Sequence, residues 1–194
     1  SETAADLLST SFRIADAHRA PADDQIIAWH REAAGHKIRH VSATLPDILK
    51  TEAVLEWEYG AFRGKTPEQA RGAMRETIAW LRNPGSDYEI CVSIDKIRSL
   101  VRGEGYWQGL GAEARAAQID FMAESCERLY PSLRLYLYDG QSHFSAPYTV
   151  FGPYRVSVYV GDMYLVLNAK DAVATMTRHF DNLIRAATVQ AHEV

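Results

Sequence analysis

The sequence predicts an α+β domain: N-terminal helices packed on a mixed sheet, with a βαβ unit, an antiparallel meander and a C-terminal helix. Three observations predict it. Residues 23–82 carry apolar side chains at helical spacing behind recognisable start signals. From residue 88 the pattern changes to strand, helix, strand, which suggests a right-handed βαβ crossover. Residues 148–167 then hold three short apolar runs divided by turn residues.

Residues 1–22 are small and polar with Pro21 near their end, and read as a linker. "DDQIIAWHREAA" at 23–34 reads as a helix that Asp23 and Asp24 start and Gly35 stops. In "LPDILKTEAVLEWEY" at 45–59, Pro46 suits a first helical turn, and Ile48, Leu49, Leu55 and Trp57 supply apolar surface. Thr66-Pro67-Glu68-Gln69 is a capping box before Met74, Ile78 and Leu81. "RNPG" at 82–85 ends that helix.

"YEICVSI" from Tyr88 alternates, which predicts a strand with one buried face. A short helix, "DKIRSLV", and a glycine-rich loop at 102–111 follow. A long helix over 112–130 ends at Pro131, and "LRLYLY" at 133–138 is the next strand. Strands at 148–151, 155–160 and 163–167 turn at Gly152-Pro153 and Gly161-Asp162. Val173, Met176, Phe180, Leu183 and Ala187 repeat at +3 and +4, which predicts a helix over 171–187 and a frayed tail at 188–194. The helical part (23–82) and the αβ part (88–187) are expected to form one regulatory unit, 23–187, since the break at Asn83–Ser86 is short.

Composition narrows the function. The net charge is −4, and a nucleic-acid binder presents a basic face. Lys37, Arg39 and His40 form the densest basic group and read as a solvated face. Cys91 and Cys126 form no CxxC and read as buried free thiols, which suits the cytoplasm. No run of 18 apolar residues is present, so no membrane contact is expected. The chain begins "SETAADLLST", without Met, and reads as a fragment of something longer.

His143 follows the turn Asp139-Gly140 and is a candidate nucleophile. The order βαβ, histidine, meander, helix resembles one half of a phospholipase D fold. That family's motif is His-x-Lys, its lysine holding the phosphate; here the residues are His143-Phe144-Ser145. Without the cation, phosphate charge is poorly stabilised, so catalysis at His143 is not expected. The rival reading is a phosphodiesterase dimer with one histidine per subunit. His36 and His40 have i, i+4 spacing, but Lys37 and Arg39 between them repel a metal, and surface histidines are expected. "RGEGYWQGLG" matches no phosphate-binding fingerprint and reads as a flexible loop carrying Tyr106 and Trp107 beside Arg102. Tyr136, Tyr138, Tyr154 and Tyr159 are expected opposite the Leu and Val stripes.

An ordered set of motifs resembles a family of effector domains. "LPDILKTEAVLEW" is similar to that family's "PGLLQT" helix start. "ICVSIDKIRSLVRGEG", "RAAQIDFMAESCE", "LRLYLYDGQSHF", "YTVFGPYRVSVYVGDMYLVL" and "HFDNLIRAA" resemble its later landmarks in order, over about residues 28–188. The family follows an N-terminal helix-turn-helix of the xenobiotic-response-element type in bacterial transcription regulators. Asp47 stands where the family has Gly, Lys50 where it has Gln, and Lys96 where an acidic residue is usual. The resemblance implies a sensing or dimerisation domain, with DNA bound by a segment outside this chain. It implies no enzyme and no cofactor, a homodimer, and a small-molecule effector or a protein partner. Arg102, Tyr106, Trp107, His143 and Tyr154 are the expected ligand contacts, from loop position and residue type. The third alternative is a pure interaction module, which would expose a large apolar patch.

Overall fold

The computed structural model describes residues 12–15, 19–60, 67–81, 85, 87–160 and 164–194. The fold is α+β, and its frame is one mixed sheet of eight strands in the order β1-β7-β6-β5-β2-β3-β4-β8. The strands are β1 (Phe12–Ala15), β2 (Lys37–Val41), β3 (Asp87–Ser93), β4 (Leu133–Tyr138), β5 (Tyr148–Phe151), β6 (Arg155–Tyr159), β7 (Tyr164–Leu167) and β8 (Ala187–Val189). The helices are α1 (Arg19–Glu32), α2 (Glu52–Gly60), α3 (Pro67–Leu81), α4 (Ile94–Arg102), α5 (Ala112–Leu129) and α6 (Lys170–Arg185). No helix among the described residues is long and apolar enough to cross a membrane.

β2, β3 and β4 are parallel neighbours, and β5, β6 and β7 form the expected meander. The β3–α4–α5–β4 segment is the βαβ unit. β2 joins the two halves: it pairs in parallel with β3 and antiparallel with β5. One face of the sheet buries Ile38, Ile90, Val92, Leu133 and Leu135 against Trp29 of α1, Leu100 of α4 and Met122 of α5. The opposite face buries Val41, Cys91, Tyr136, Tyr138 and Val150 against Val173, Phe180 and Leu183 of α6. Strand alternation assigns odd and even residues of β4 to these two cores.

Several sequence expectations need correction. The helical part contains β2, a five-residue strand at the centre of the sheet. Lys37, Arg39 and His40 therefore lie on a strand, not on a solvated face. Lys37 and Arg39 pair with Glu89 of β3, at 2.9 and 3.5 Å. β3 is buried on both faces from Tyr88 to Ser93, because helices cover both sides of the parallel strands. Asp23 and Asp24 do not start the first helix, which begins at Arg19. Phe12–Ala15, placed in the linker, pairs with β7 as an edge strand. Ala187–Val189, placed at the helix end and frayed tail, pairs with β4. The capping residue Thr66, the turn Gly161-Asp162 and most of "RNPG" lie outside the described residues. Cys91 and Cys126 are buried free thiols, and burial raises both thiol pKa values, that of Cys126 to about 11.

A candidate ligand cavity

The predicted helix over 45–59 is broken, and the break builds a site. A single 3₁₀ turn, Asp47–Leu49, follows Pro46, whose extended backbone precedes it. Lys50 then returns to an extended conformation (φ −99°, ψ 141°) before α2 begins. Breaking a helix orphans backbone groups. Here the buried carboxamide of Gln118 on α5 serves both sides of the break: it accepts from the Thr51 N–H (2.8 Å) and donates to the Leu49 carbonyl.

The extended residue turns its side chain inward. The Lys50 side chain is only 3% accessible. Its ammonium donates to Asp47 Oδ1 at 2.7 Å and to Glu58 Oε2. Tyr59 donates to the other Asp47 oxygen (2.7 Å), and Tyr106 donates to Glu58 Oε1 (2.6 Å). Burial alone would lower the Lys50 pKa, but Asp47 and Glu58 more than offset this and hold it above the ordinary value. Lys50 also stands 5.8 Å from the Tyr59 ring centroid.

This cluster is one end of a cavity of about 910 Å³. It opens where the chain leaves the carboxyl end of β2, through Ser42–Pro46. In sheets with parallel strands that end is where ligand crevices form. Ile26, Ile27 and His30 of α1 form another wall, and Met74 and Thr77 of α3 a further one. The floor is the sheet: Tyr88, Tyr148, Thr149, Ser157, Tyr159 and Tyr164. His40 accepts from or donates to Thr149 Oγ1 through Nδ1 (2.9 Å), and its ring stacks on Tyr88 at 6.4 Å. Tyr88 also meets His30 edge-on at 6.1 Å. The His40 pKa is lowered to about 4, chiefly by burial, against the pull of Asp47. The His30 pKa is lowered too, by burial, against its hydrogen bond to the Ile26 carbonyl. Burial first, then the charge of Asp47, raises the Tyr88 phenol. The cavity thus has largely aromatic walls, a buried charged cluster at Lys50 and the exposed Arg31–Glu76 pair (3.3 Å) in its lining, a composition that suits a small-molecule site.

The five predicted contacts do not converge. Tyr106 lines the cavity. Trp107 beside it is 1% exposed and stacks on Trp57 at 5.8 Å, so it packs the core and anchors the loop. Arg102 ends α4 in solvent, with Glu104 at 4.0 Å. Tyr154 sits in the β5–β6 turn, where its hydroxyl is 3.2 Å from His36 Nε2. His143 is exposed, and its backbone N–H closes the turn onto the Asp139 carbonyl (3.0 Å). Among the described residues its imidazole makes no hydrogen bond, and the cavity does not include it. His40, expected at the surface, forms a cavity wall instead, together with His30. The sequence reading missed Asp47, Lys50 and Glu58 as a group. Glu58 follows Val54 and Leu55 by four and three residues on one α2 face, so a carboxylate on a buried stripe was visible.

No family model matches this chain, and no curated protein matches it. Among solved structures it is similar to TrmBL2, described as an archaeal chromatin protein with a novel mode of DNA binding. The TM-score is 0.49 with 12% identical residues, over 91% of this chain and 52% of that one. The chain spans about half the length of the structure it matches.

Proposed function

We propose that this chain is the ligand-sensing domain of a bacterial transcription regulator, with a small-molecule effector held in the cavity between the sheet, α1, α2 and α3. The observation that carries this reading is the cavity itself. Its volume of about 910 Å³ suits a drug-sized molecule, and its aromatic lining with a buried charged cluster at Lys50 suits orientation of a bound ligand. The regulatory context rests on the ordered motifs over about residues 28–188. The net charge of −4 favours DNA contact through a different segment, and palindromic operators favour a homodimer. A sensor works by binding one arrangement better than another, and walls drawn from three helices and several strands of the sheet suit that role. In this reading the chain performs no catalysis, and His143 is a solvent-exposed turn residue.

Native mass spectrometry of the purified chain tests the proposal against the denatured mass. A dimer carrying extra mass that is lost on denaturation is expected. A bare monomer at micromolar protein, unchanged by incubation with a cell metabolite extract, would count against both sensing and dimerisation.

A further inference from the structure

We infer that the cavity selects an uncharged molecule, an apolar body whose carbonyl or hydroxyl oxygens are held by the serine hydroxyls of the sheet floor, Ser157 and Ser42. This rests on the reading above that the cavity holds a small molecule. Three polar side chains stand in register across three neighbouring strands: His40 of β2 faces Thr149 of β5, and Thr149 faces Ser157 of β6. Directly opposed side chains lie about 5 Å apart, so the row forms one polar stripe. Ser42 follows His40 by two residues, and its N–H still reaches the Cys91 carbonyl of β3 (3.2 Å), which keeps it on the same side of the sheet. Next to the stripe this sheet face is apolar, with Ile38 and Phe151 buried in the core.

The hydroxyls differ in whether the fold uses them. Thr149 Oγ1 is 2.9 Å from His40 Nδ1. Ser157 is 3% exposed and Ser42 8%. Among the described residues neither serine hydroxyl has a hydrogen-bond partner, and neither is sealed in the packing, so both open onto the cavity. A buried hydroxyl left without a partner is costly, and a ligand oxygen that meets it removes that cost. A serine hydroxyl can donate to a carbonyl and can accept from a hydroxyl. The stripe itself offers no charge, since burial lowers the His40 pKa to about 4 and keeps the ring neutral. The charged groups elsewhere in the lining meet one another, Lys50 with Asp47 and Glu58, and Arg31 with Glu76. A charged ligand on this floor would lack a counter-charge, and burying an unpaired charge costs far more than burying a hydrogen-bonded carbonyl.

The test is a ligand-observed NMR titration of the purified chain with four probes of similar size: acetophenone, ethylbenzene, 1-phenylethylammonium and phenylacetate. Acetophenone is expected to bind at least about tenfold more tightly than ethylbenzene and than either ion. The double variant Ser42→Ala, Ser157→Ala should erase the advantage of acetophenone over ethylbenzene. Ethylbenzene should bind that variant as it binds the parent chain, which shows that the cavity is intact. Tighter binding of either ion, equal binding of acetophenone and ethylbenzene to the parent chain, an advantage that survives in the double variant, or no binding of acetophenone at about 10 mM would overturn the inference. The retained-ligand experiment decides separately whether the cavity is a sensor at all.

Discussion

Lys50 concentrates the chemistry of this protein at the scale of one residue. An ammonium this deep is tolerated because two carboxylates meet it, and removing one partner of such a group strands the others. Lys50→Met should cost about 3 kcal/mol, measured as a shift in the urea unfolding midpoint. The double variant Lys50→Met, Glu58→Gln should recover part of that loss, because the more buried of the two partner carboxylates no longer carries charge. His40 gives a second expectation, set by pH. Its folded pKa of about 4 lies below the ordinary 6.5, so the folded state binds fewer protons between those values. Stability is then full above pH 6.5 and is lost as pH falls toward 4. The His40 share amounts to about 2 kcal/mol between pH 7 and pH 5, and His40→Asn should flatten the pH profile of the urea midpoint by that much. Asp47 and Lys50 stood out in sequence only as differences within a motif that resembles "PGLLQT", and their meeting was not legible. It depends on a helix break that Gln118, 67 residues from Thr51 in sequence, makes possible. Likewise nothing local distinguishes His40, on a cavity wall, from His36, which faces solvent beside Tyr154.

Elements with strong local signals were legible, and those defined by their partners were not. α5, β4, the meander and α6 have clear periodicity and punctuation, and they fall within a residue or two of expectation. β2 reads "KIRHV", with three basic side chains in five residues, and no local pattern marks it as central. It is a strand because β3 and β5 complete its hydrogen bonds on both sides and because Glu89 receives its cations. β8 has only three residues and would not hold alone. It persists by lying on β4, where the Thr188 hydroxyl donates to the Leu137 carbonyl at 3.2 Å. Its position makes it an edge cover. Deleting residues 187–194 should bare the N–H and C=O groups of β4, cost about 1–2 kcal/mol, and lower Tm by roughly 2–8 °C. Size-exclusion chromatography should show concentration-dependent association of the shortened chain.

For the whole molecule, the α+β class and the order of most elements followed from pattern, while the site followed from topology. The five residues chosen by loop position scatter over three regions, because loops near in sequence character leave the sheet at different ends. The cavity lies instead where residues from 26–31, 40–59, 74–79, 88, 106, 147–149, 157–159 and 164 converge around the carboxyl end of β2. The sheet has a further consequence, concerning the two ends of the described chain. β1 and β8 occupy its opposite edges, so the eight strands place seven spacings between them, about 30–35 Å at roughly 4.8 Å each. Most domains bring their termini together, and circular permutation exploits that. Here a tether joining Phe12 to Val189 would need about ten extended residues merely to cross the sheet, and more to clear the covering helices. Fusions at the two ends would therefore project from opposite flanks of the molecule, and fluorophores placed there would report on its full width.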